Sequence, residues 1–180
     1  MESKISVRKK YFLKRKKNYY DINKSFFDPL MKIFSKNKNV NISIYYPSSN
    51  ELNILKIFEN KKFKNLKYLL PIIENENSMF FCRWKKNDVL FVNKYGILEP
   101  IKSKKIIPDI VLVPLLAFDK NKNRLGYGKG FYDRYFNKYA ATHKKIVTIG
   151  VAFYFQKYSN LPNNKKDFRL DYIITDKGIF

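Results

Sequence analysis

Apolar residues recur at helical spacing in four stretches of the chain. Residues 4–18 contain no Gly or Pro and mix basic with apolar side chains, which predicts a first helix. Residues 21–34 predict a second helix that is interrupted or kinked at Pro29. Residues 50–58 are amphipathic and predict a third helix, and residues 131–139 predict a fourth after a glycine-rich loop.

Strand-like runs alternate with these helices. A polar turn at residues 85–88 between two apolar runs predicts a hairpin, and the β-branched run at residues 110–113 is typical of a central strand. The predicted strands are residues 41–46, 66–70, 79–84, 89–92, 110–113, 146–153 and 172–175. This alternation predicts an α/β fold in which residues 1–180 form a single domain. We expect an open, mostly parallel sheet with helices on both faces, in a Rossmann-like three-layer arrangement.

The composition of the chain narrows the class of protein and its cellular compartment. Hydrophobic residues make up 45% of the chain and aromatic residues 17%, which excludes a disordered chain. A single cysteine, Cys82, permits no internal disulfide and predicts a reducing, cytoplasmic location. With His143 as the only histidine, the common zinc sites cannot form. No secretory signal is recognisable, and the longest apolar run is too interrupted to span a bilayer, so we expect no membrane partner.

The net charge of +22 raises the alternative of a basic nucleic-acid-binding module. Only six of the 37 basic residues are Arg, the lysines are scattered, and Asn, Ile, Phe and Tyr are abundant, a mixture typical of AT-rich coding sequence. No nucleic-acid-binding motif is present. We therefore expect no nucleic-acid partner, although the excess positive charge favours anionic substrates.

Half of the six glycines lie in one loop, at Gly126, Gly128 and Gly130. Alternating glycines clear side chains from the backbone, so that its N–H groups can point at an anion. A helix predicted to start at Phe131 would add partial positive charge. The loop is thus either a phosphate-binding loop or a plain glycine turn, and its spacing matches neither G-x-x-x-x-G-K-S/T nor G-x-G-x-x-G.

The flanks of this loop carry a family resemblance. The chain reads VPLLAFD at residues 113–119 and RLGYGKGFYD at residues 124–133. These segments closely resemble the signature of 5-formyltetrahydrofolate cyclo-ligases, also called methenyltetrahydrofolate synthetases, which carry VP-x-x-AFD, a short polar turn, and RLG-x-G-x-G followed by an aromatic residue and YD. The resemblance extends more weakly over nearly the whole chain.

The resemblance implies an ATP-dependent ring-forming ligase. Such an enzyme converts 5-formyltetrahydrofolate and MgATP into 5,10-methenyltetrahydrofolate, ADP and phosphate. The substrate is the reduced folate, with or without a polyglutamate tail, and we expect a monomer. An inactive folate- or ATP-binding relative is a third alternative, against which stands the presence of the signature residues.

Three basic residues of the first helix, Lys4, Arg8 and Arg15, fall on one helical face. Taken alone they are a solvated basic face, but the segment at residues 4–9 resembles the family's ATP-contacting K-x-x-L/V-R-K. The resemblance implies that a set of cations stabilises developing phosphate charge: Lys4, Arg8, Arg15, Arg124 and Lys129. The implied ATP contacts are Lys4, Ile5, Ser6, Val7, Arg8, Arg124, Leu125, Gly126, Tyr127, Gly128, Lys129, Gly130, Phe131 and Tyr132.

Carboxylates are assigned to folate and metal in the same way. Glu51 is either an ordinary first-turn acid or, as the resemblance implies, a group that accepts hydrogen bonds from the folate's pterin ring. The implied folate contacts are Glu51, Tyr127, Gly128, Lys129, Gly130 and Phe131. Asp133 and Asp167 are the candidate Mg²⁺ ligands, since Mg²⁺ takes one or two carboxylates with phosphate oxygens and waters. Asp167 could equally cap a loop, and Asp119 is expected to shape the turn before Arg124. Glu99 is assigned only to a turn.

Overall fold

The computed structural model of the chain describes residues 2–34, 40–48, 50–64, 66–140 and 145–180, and His143 lies outside them. The described residues form eleven strands, numbered in chain order: β1 Asn41–Ser43, β2 Lys67–Ile73, β3 Met79–Arg83, β4 Leu90–Val92, β5 Leu98–Pro100, β6 Ile110–Pro114, β7 Ala117–Phe118, β8 Arg124–Leu125, β9 Val147–Val151, β10 Tyr172–Thr175 and β11 Gly178–Ile179. The α-helices are α1 Lys4–Asn18, α2 Met31–Phe34 and α3 Phe131–Ala140. Short 3-10 helices span Lys24–Leu30, Ile54–Glu59, Lys61–Phe63 and Tyr154–Gln156. None of the helices in these ranges is long and apolar enough to cross a membrane.

Seven strands form one sheet with a parallel centre. Their order is β11-β10-β9-β6-β1-β2-β3. β1 pairs in parallel with β2 and β6, and β9 pairs in parallel with β6 and β10. Antiparallel pairing is confined to the two outer pairs, β2 with β3 and β10 with β11. The predicted open, mostly parallel sheet is confirmed.

Both faces of the sheet are covered, as the prediction requires. Successive residues of β6 point to opposite faces, because side chains alternate along a strand. Leu112 belongs to a core formed with the 3-10 helices Lys24–Leu30 and Ile54–Glu59. Val111 and Val113 belong to a second core, which α3 closes with Tyr135 and Phe136. The result is three layers with β6 near the centre.

Helix α1 lies beside the sheet, and its observed bounds match the predicted range. The Ser3 hydroxyl caps it by accepting a hydrogen bond from the Ser6 N–H at 3.1 Å. Val7 and Tyr11 pack into a third apolar cluster with Leu116, Ala117, Leu125 and Leu161. Helix α1 is thereby fixed against β7 and β8, directly before the glycine loop.

Two predicted helices are shorter and more tightly wound than expected. The stretch at residues 21–34 is a 3-10 helix over Lys24–Leu30 followed by the single turn of α2. Pro29 lies inside the 3-10 segment, and its missing N–H disfavours a continuous α-helix. Residues 50–58 form an irregular segment and then a 3-10 helix, Ile54–Glu59, which the Asn53 side chain caps through the Leu55 N–H.

The predicted hairpin of residues 79–84 with 89–92 is wrong. β3 pairs with β2, and β4 pairs instead with β5. Pro71 obscured this pairing, because a proline within an apolar run argues against a central strand. Here β2 runs on past the end of β1, so Pro71 needs a partner only on the β3 side, where it faces Phe81.

Candidate active site

A cavity of about 650 Å³ opens at the carboxyl ends of the parallel strands. Pro114 at the end of β6, Ile73 at the end of β2 and Tyr45 just after β1 reach it. In open α/β sheets this edge is where ligands bind. Helix α1, the glycine loop, the start of α3 and the β4–β5 ribbon supply the other walls.

The glycine loop forms one wall, and arginine side chains lie against it. Gly128 and Gly130 have φ angles of +104° and +68°, which L side chains rarely adopt. A Cβ on Gly128 would lie 3.4 Å from Arg8 Cζ, and one on Gly130 would lie 2.9 Å from Arg134 Nη1. The carbonyl of Gly126 accepts a hydrogen bond from Arg8 Nε at 2.9 Å. The glycines therefore permit both the turn and the close approach of guanidinium groups.

Two cations of α1 line the cavity, as the common helical face predicts. They are Lys4 and Arg8, one turn apart. Arg15 is different: its residue is only 1% exposed, and its guanidinium lies over the Tyr127 ring, 5.4 Å from the centroid. Ile5, Ser6 and Val7 also lie outside the cavity wall: Ile5 and Ser6 are exposed, and Val7 is buried in the apolar cluster with Leu125.

Arg124 and Asp133 form an ion pair inside the cavity wall. Arg124 Nη2 donates to Asp133 Oδ1 at 2.8 Å, and the Phe168 N–H donates to the same oxygen at 3.1 Å. The Arg124 side chain is 4% exposed, and its Nε has no hydrogen-bond partner among the described residues. A buried donor without a partner in a binding cavity points to a ligand that supplies an acceptor.

Asp167 forms the second ion pair of the cavity. It pairs with Lys4 and accepts a hydrogen bond from the Asn164 N–H at 2.7 Å, both through Oδ2. The alternative of a loop cap thus describes part of what Asp167 does. Across the described ranges, no group of three His, Cys, Asp or Glu residues could hold a metal. Two carboxylates that each use one oxygen still suit an ion that arrives with phosphate, because Mg²⁺ usually takes few protein ligands.

Glu51 is buried beneath the loop, with only 7% of the residue exposed. Its Oε2 accepts hydrogen bonds from the Ser48 N–H at 2.8 Å and the Ser48 hydroxyl at 3.3 Å. Burial raises the pKa of the Glu51 carboxyl, although hydrogen bonds from Tyr127 and Ser48 and the charge of Arg15 act the other way. Glu51 precedes its 3-10 helix and is no ordinary exposed first-turn acid.

Comparison with known proteins identifies this arrangement. The family model described as "5-formyltetrahydrofolate cyclo-ligase family" matches residues 3–176. The chain belongs to this family. It is 33% identical over 181 residues to the 5-formyltetrahydrofolate cyclo-ligase of Mycoplasma genitalium, covering 97% of this chain and 98% of the relative. It is 31% identical over 134 residues to that of Haemophilus influenzae, covering 71% of each chain.

Solved structures of the family share the fold. The NMR structure of Aquifex aeolicus 5,10-methenyltetrahydrofolate synthetase superposes with a TM-score of 0.74 at 28% identity, covering 98% of this chain and 91% of that one. A 5,10-methenyltetrahydrofolate synthetase from Mycoplasma pneumoniae gives 0.72 at 25% identity, covering 96% and 98%. Cyclo-ligases of this family are ATP-dependent ligases, so the chain is an enzyme of the ring-forming ligase class.

The cyclo-ligase cavity gathers most of the residues predicted for it. The predicted residues that line it are Lys4, Arg8, Glu51, Arg124, Leu125, Gly126, Tyr127, Gly128, Lys129, Gly130, Phe131, Tyr132, Asp133 and Asp167. Asp119 lies outside the cavity wall and shapes the turn as expected: Oδ1 accepts from the N–H groups of Asn121 and Asn123 at 2.9 and 3.1 Å. The individual roles of the lining residues stay predictions.

Sequence reasoning missed the β4–β5 side of the cyclo-ligase cavity. Glu99, assigned to a turn, lies in β5 and is buried. Its Oε1 accepts from the Ile73 N–H and from Asn93 Nδ2, both at 2.7 Å. This carboxylate ties the β4–β5 ribbon to the end of β2, where Tyr95, Ile97 and Leu98 also face the cavity. No spacing in residues 90–100 signals this contact; the only hint is an acid next to proline.

Proposed function

We propose that the chain catalyses ATP- and Mg²⁺-dependent closure of 5-formyltetrahydrofolate to 5,10-methenyltetrahydrofolate, with release of ADP and phosphate. One observation carries the proposal beyond family membership. The glycine loop with its guanidinium groups and the buried carboxylate of Glu51 belong to the same cavity, so a phosphate chain and a heterocycle can meet there.

The chemistry suits a chain whose cavity is lined by cations and tyrosines. The formyl oxygen attacks the γ-phosphorus of ATP and displaces ADP, giving an imidate phosphate. N10 of the same folate then attacks the activated formyl carbon, and phosphate leaves as the five-membered ring closes and N10 loses its proton. Both steps are intramolecular or between bound partners, so position and charge supply the catalysis.

Four cations that line the cavity are assigned to phosphate oxygens. Lys4 and Arg8 project from α1, Arg124 from β8, and Lys129 from the loop itself. Guanidinium groups can hold two oxygens at once and stay charged when buried. In this assignment Arg124 Nε gains the acceptor that the described protein does not provide. These side chains stabilise the charge that moves onto ADP and the departing phosphate.

The folate ring is assigned to the Glu51 end of the cavity. A buried carboxylate can accept two hydrogen bonds from the edge of an aminopyrimidinone. Tyr127 and Phe131 present aromatic surface, and Pro71, Ile73 and Met79 add apolar surface to the same wall. A flat ring stacks well in such a slot.

Asp133 and Asp167 would hold the Mg²⁺ ion, which supplies charge neutralisation at the transferred phosphate when bound. Each carboxylate now pairs with a cation, Arg124 or Lys4, through one oxygen. Arrival of the nucleotide lets those cations turn to phosphate while the carboxylates keep their second oxygens for the ion.

Further features of the proposal concern the setting of the enzyme. We expect a cytoplasmic monomer that accepts folates with or without polyglutamate tails and has no nucleic-acid or membrane partner. The many exposed lysines then favour anionic substrates in general.

The deciding experiment is an absorbance assay for the methenyl product with purified protein, 5-formyltetrahydrofolate, ATP and Mg²⁺. We expect product formation that requires all three. Absence of product under every combination would refute the proposal. RNA retention that disappears at high salt, without turnover, would support a nucleic-acid-binding role instead.

A further inference from the structure

Arg15 lies in an environment that a phosphate ligand would not occupy. It is buried under the cavity floor and donates to the carbonyl of Leu115 at 3.4 Å. Its guanidinium covers the ring of Tyr127, which lines the cavity above it. Burying a charge is costly unless the charge is used in specific contacts. Arg15 therefore contacts Tyr127, a residue assigned to the folate side of the cavity.

Tyr127 links this guanidinium to the buried carboxylate. Its residue is 43% exposed toward the cavity, whereas its hydroxyl reaches inward and hydrogen-bonds with both Arg15 and Glu51. Glu51 is held from its other side by the backbone and side chain of Ser48. A continuous path of contacts therefore runs from Arg15 through Tyr127 to Glu51.

We propose that Arg15 is a positioning residue for the folate end of the cavity, and that it fixes Tyr127 and Glu51 in the orientation that receives the heterocycle. This inference rests on the proposed function, in which Glu51 accepts hydrogen bonds from the folate. It replaces the sequence-based assignment of Arg15 to phosphate.

The groups that face Glu51 support this role. Arg15 from α1 contributes the positive charge and Tyr127 from the loop contributes a hydrogen bond, while Tyr45 after β1 and Tyr132 of α3 lie close by as neutral phenols. Arg15 acts against burial and lowers the pKa of the Glu51 carboxyl. Without the guanidinium, Glu51 would be protonated more readily and would lose one acceptor position.

The test compares two Michaelis constants. Arg15→Met removes the charge but keeps a long unbranched side chain. We expect the KM for 5-formyltetrahydrofolate to rise roughly tenfold, the loss of one charge-assisted interaction, while the KM for ATP changes less than about twofold. Arg15→Lys restores the charge and should recover part of the folate affinity. If Arg15 acted only on phosphate, Arg15→Met would raise the KM for ATP and leave the KM for 5-formyltetrahydrofolate unchanged. That result would overturn the inference.

Two further variants keep the test decisive. Lys16→Met removes a charge from the neighbouring, exposed position of α1 and should leave both constants unchanged. Tyr127→Phe keeps the ring and deletes the hydroxyl that joins Arg15 to Glu51, so it should weaken folate binding as Arg15→Met does. If Arg15→Met does not fold, an unchanged folate KM in Tyr127→Phe would overturn the inference.

A readout besides activity separates this inference from the proposed function. Carboxyl ¹³C NMR can follow Glu51 in the ligand-free protein, with Glu51→Gln used for assignment. We expect Arg15→Met to raise the pKa of Glu51 relative to wild type. An unchanged pKa would overturn the positioning role even in an active enzyme. If Arg15→Met shifts the pKa of Glu51 but the wild-type protein shows no turnover, the contact path is upheld and only the cyclo-ligase reaction is refuted.

Discussion

Gly128 offers the sharpest test of the glycine loop. Its φ of +104° lies in the region that glycine alone adopts readily, and a Cβ there would face the Arg8 guanidinium at 3.4–3.6 Å. Gly128→Val therefore strains the turn and also places methyl groups where Arg8 and the loop backbone approach phosphate. Strain of this kind costs on the order of 1–3 kcal/mol of stability.

The loss of function should be larger than the strain alone implies. Displacing Arg8 and blocking the loop N–H groups removes about two charge-assisted contacts, each worth about 1.5 kcal/mol at the least. Together they correspond to roughly a 100-fold fall in kcat/KM for ATP. Folate binding, measured by calorimetry without ATP, should change less. Gly128 is among the implied folate contacts, but it offers only backbone to the ring, which is assigned to the Glu51 end of the cavity.

A matched control separates backbone strain from blockage of the phosphate-binding surface. Gly178, the first residue of β11, has a φ of +109° and open space around its Cβ position. Gly178→Val should lose stability as Gly128→Val does, seen as a similar fall in Tm, yet keep full turnover. If Gly128→Val bound ATP like the wild type, or if both variants lost turnover equally, the phosphate-binding interpretation of the loop would be refuted.

Three further predictions follow from the same cavity. Lys4→Ala or Arg8→Ala should raise the KM for ATP about tenfold or more, with little change for folate; steady-state kinetics unaltered by either change would remove α1 from the ATP site. Asp133→Asn should shift the Mg²⁺ titration of the rate to higher concentration, and Asp167→Asn should do so more mildly; superimposable titrations would exclude both as ligands. Glu51→Gln should weaken folate binding and remove part of the pH dependence of stability, because the pKa of buried Glu51 is raised and wild-type stability falls as pH rises through that pKa. The Tm of the variant relative to wild type should therefore be higher at pH 8 than at pH 5, and an equal difference at both would contradict it.

Local patterns predicted the elements that are regular and self-contained. Helix α1, helix α3 and β10 were recognisable because the local pattern of apolar residues specifies them within a few residues. The partner of β3 could not be predicted in the same way, because it depends on β1 ending early enough to leave Pro71 unpaired on one side. Pairing over such distances is decided by the sheet as a whole.

The residues of the site also divide into those that local sequence predicts and those that depend on distant partners. The glycine loop and its flanks carried enough local sequence to predict which residues gather at the cavity. Arg15 shares a helical face with Lys4 but lies about 16 Å further along the axis, so it meets a different neighbour. Glu99 escaped notice because its role depends on Ile73 and Asn93, which belong to other strands and turns. Angular position alone does not tell which partner a side chain reaches.

The pair formed by Arg124 and Asp133 has a consequence for how this enzyme can evolve. The two residues are nine positions apart in one short loop-and-helix segment, and each neutralises the other in the cavity wall. A substitution that removes the arginine leaves a partly buried carboxylate without its counter-ion. One that removes the aspartate does the same to a buried guanidinium. Either single change costs stability as well as altering the cavity. Sequence drift at the two positions is therefore coupled, and the pair changes more easily together than one residue at a time.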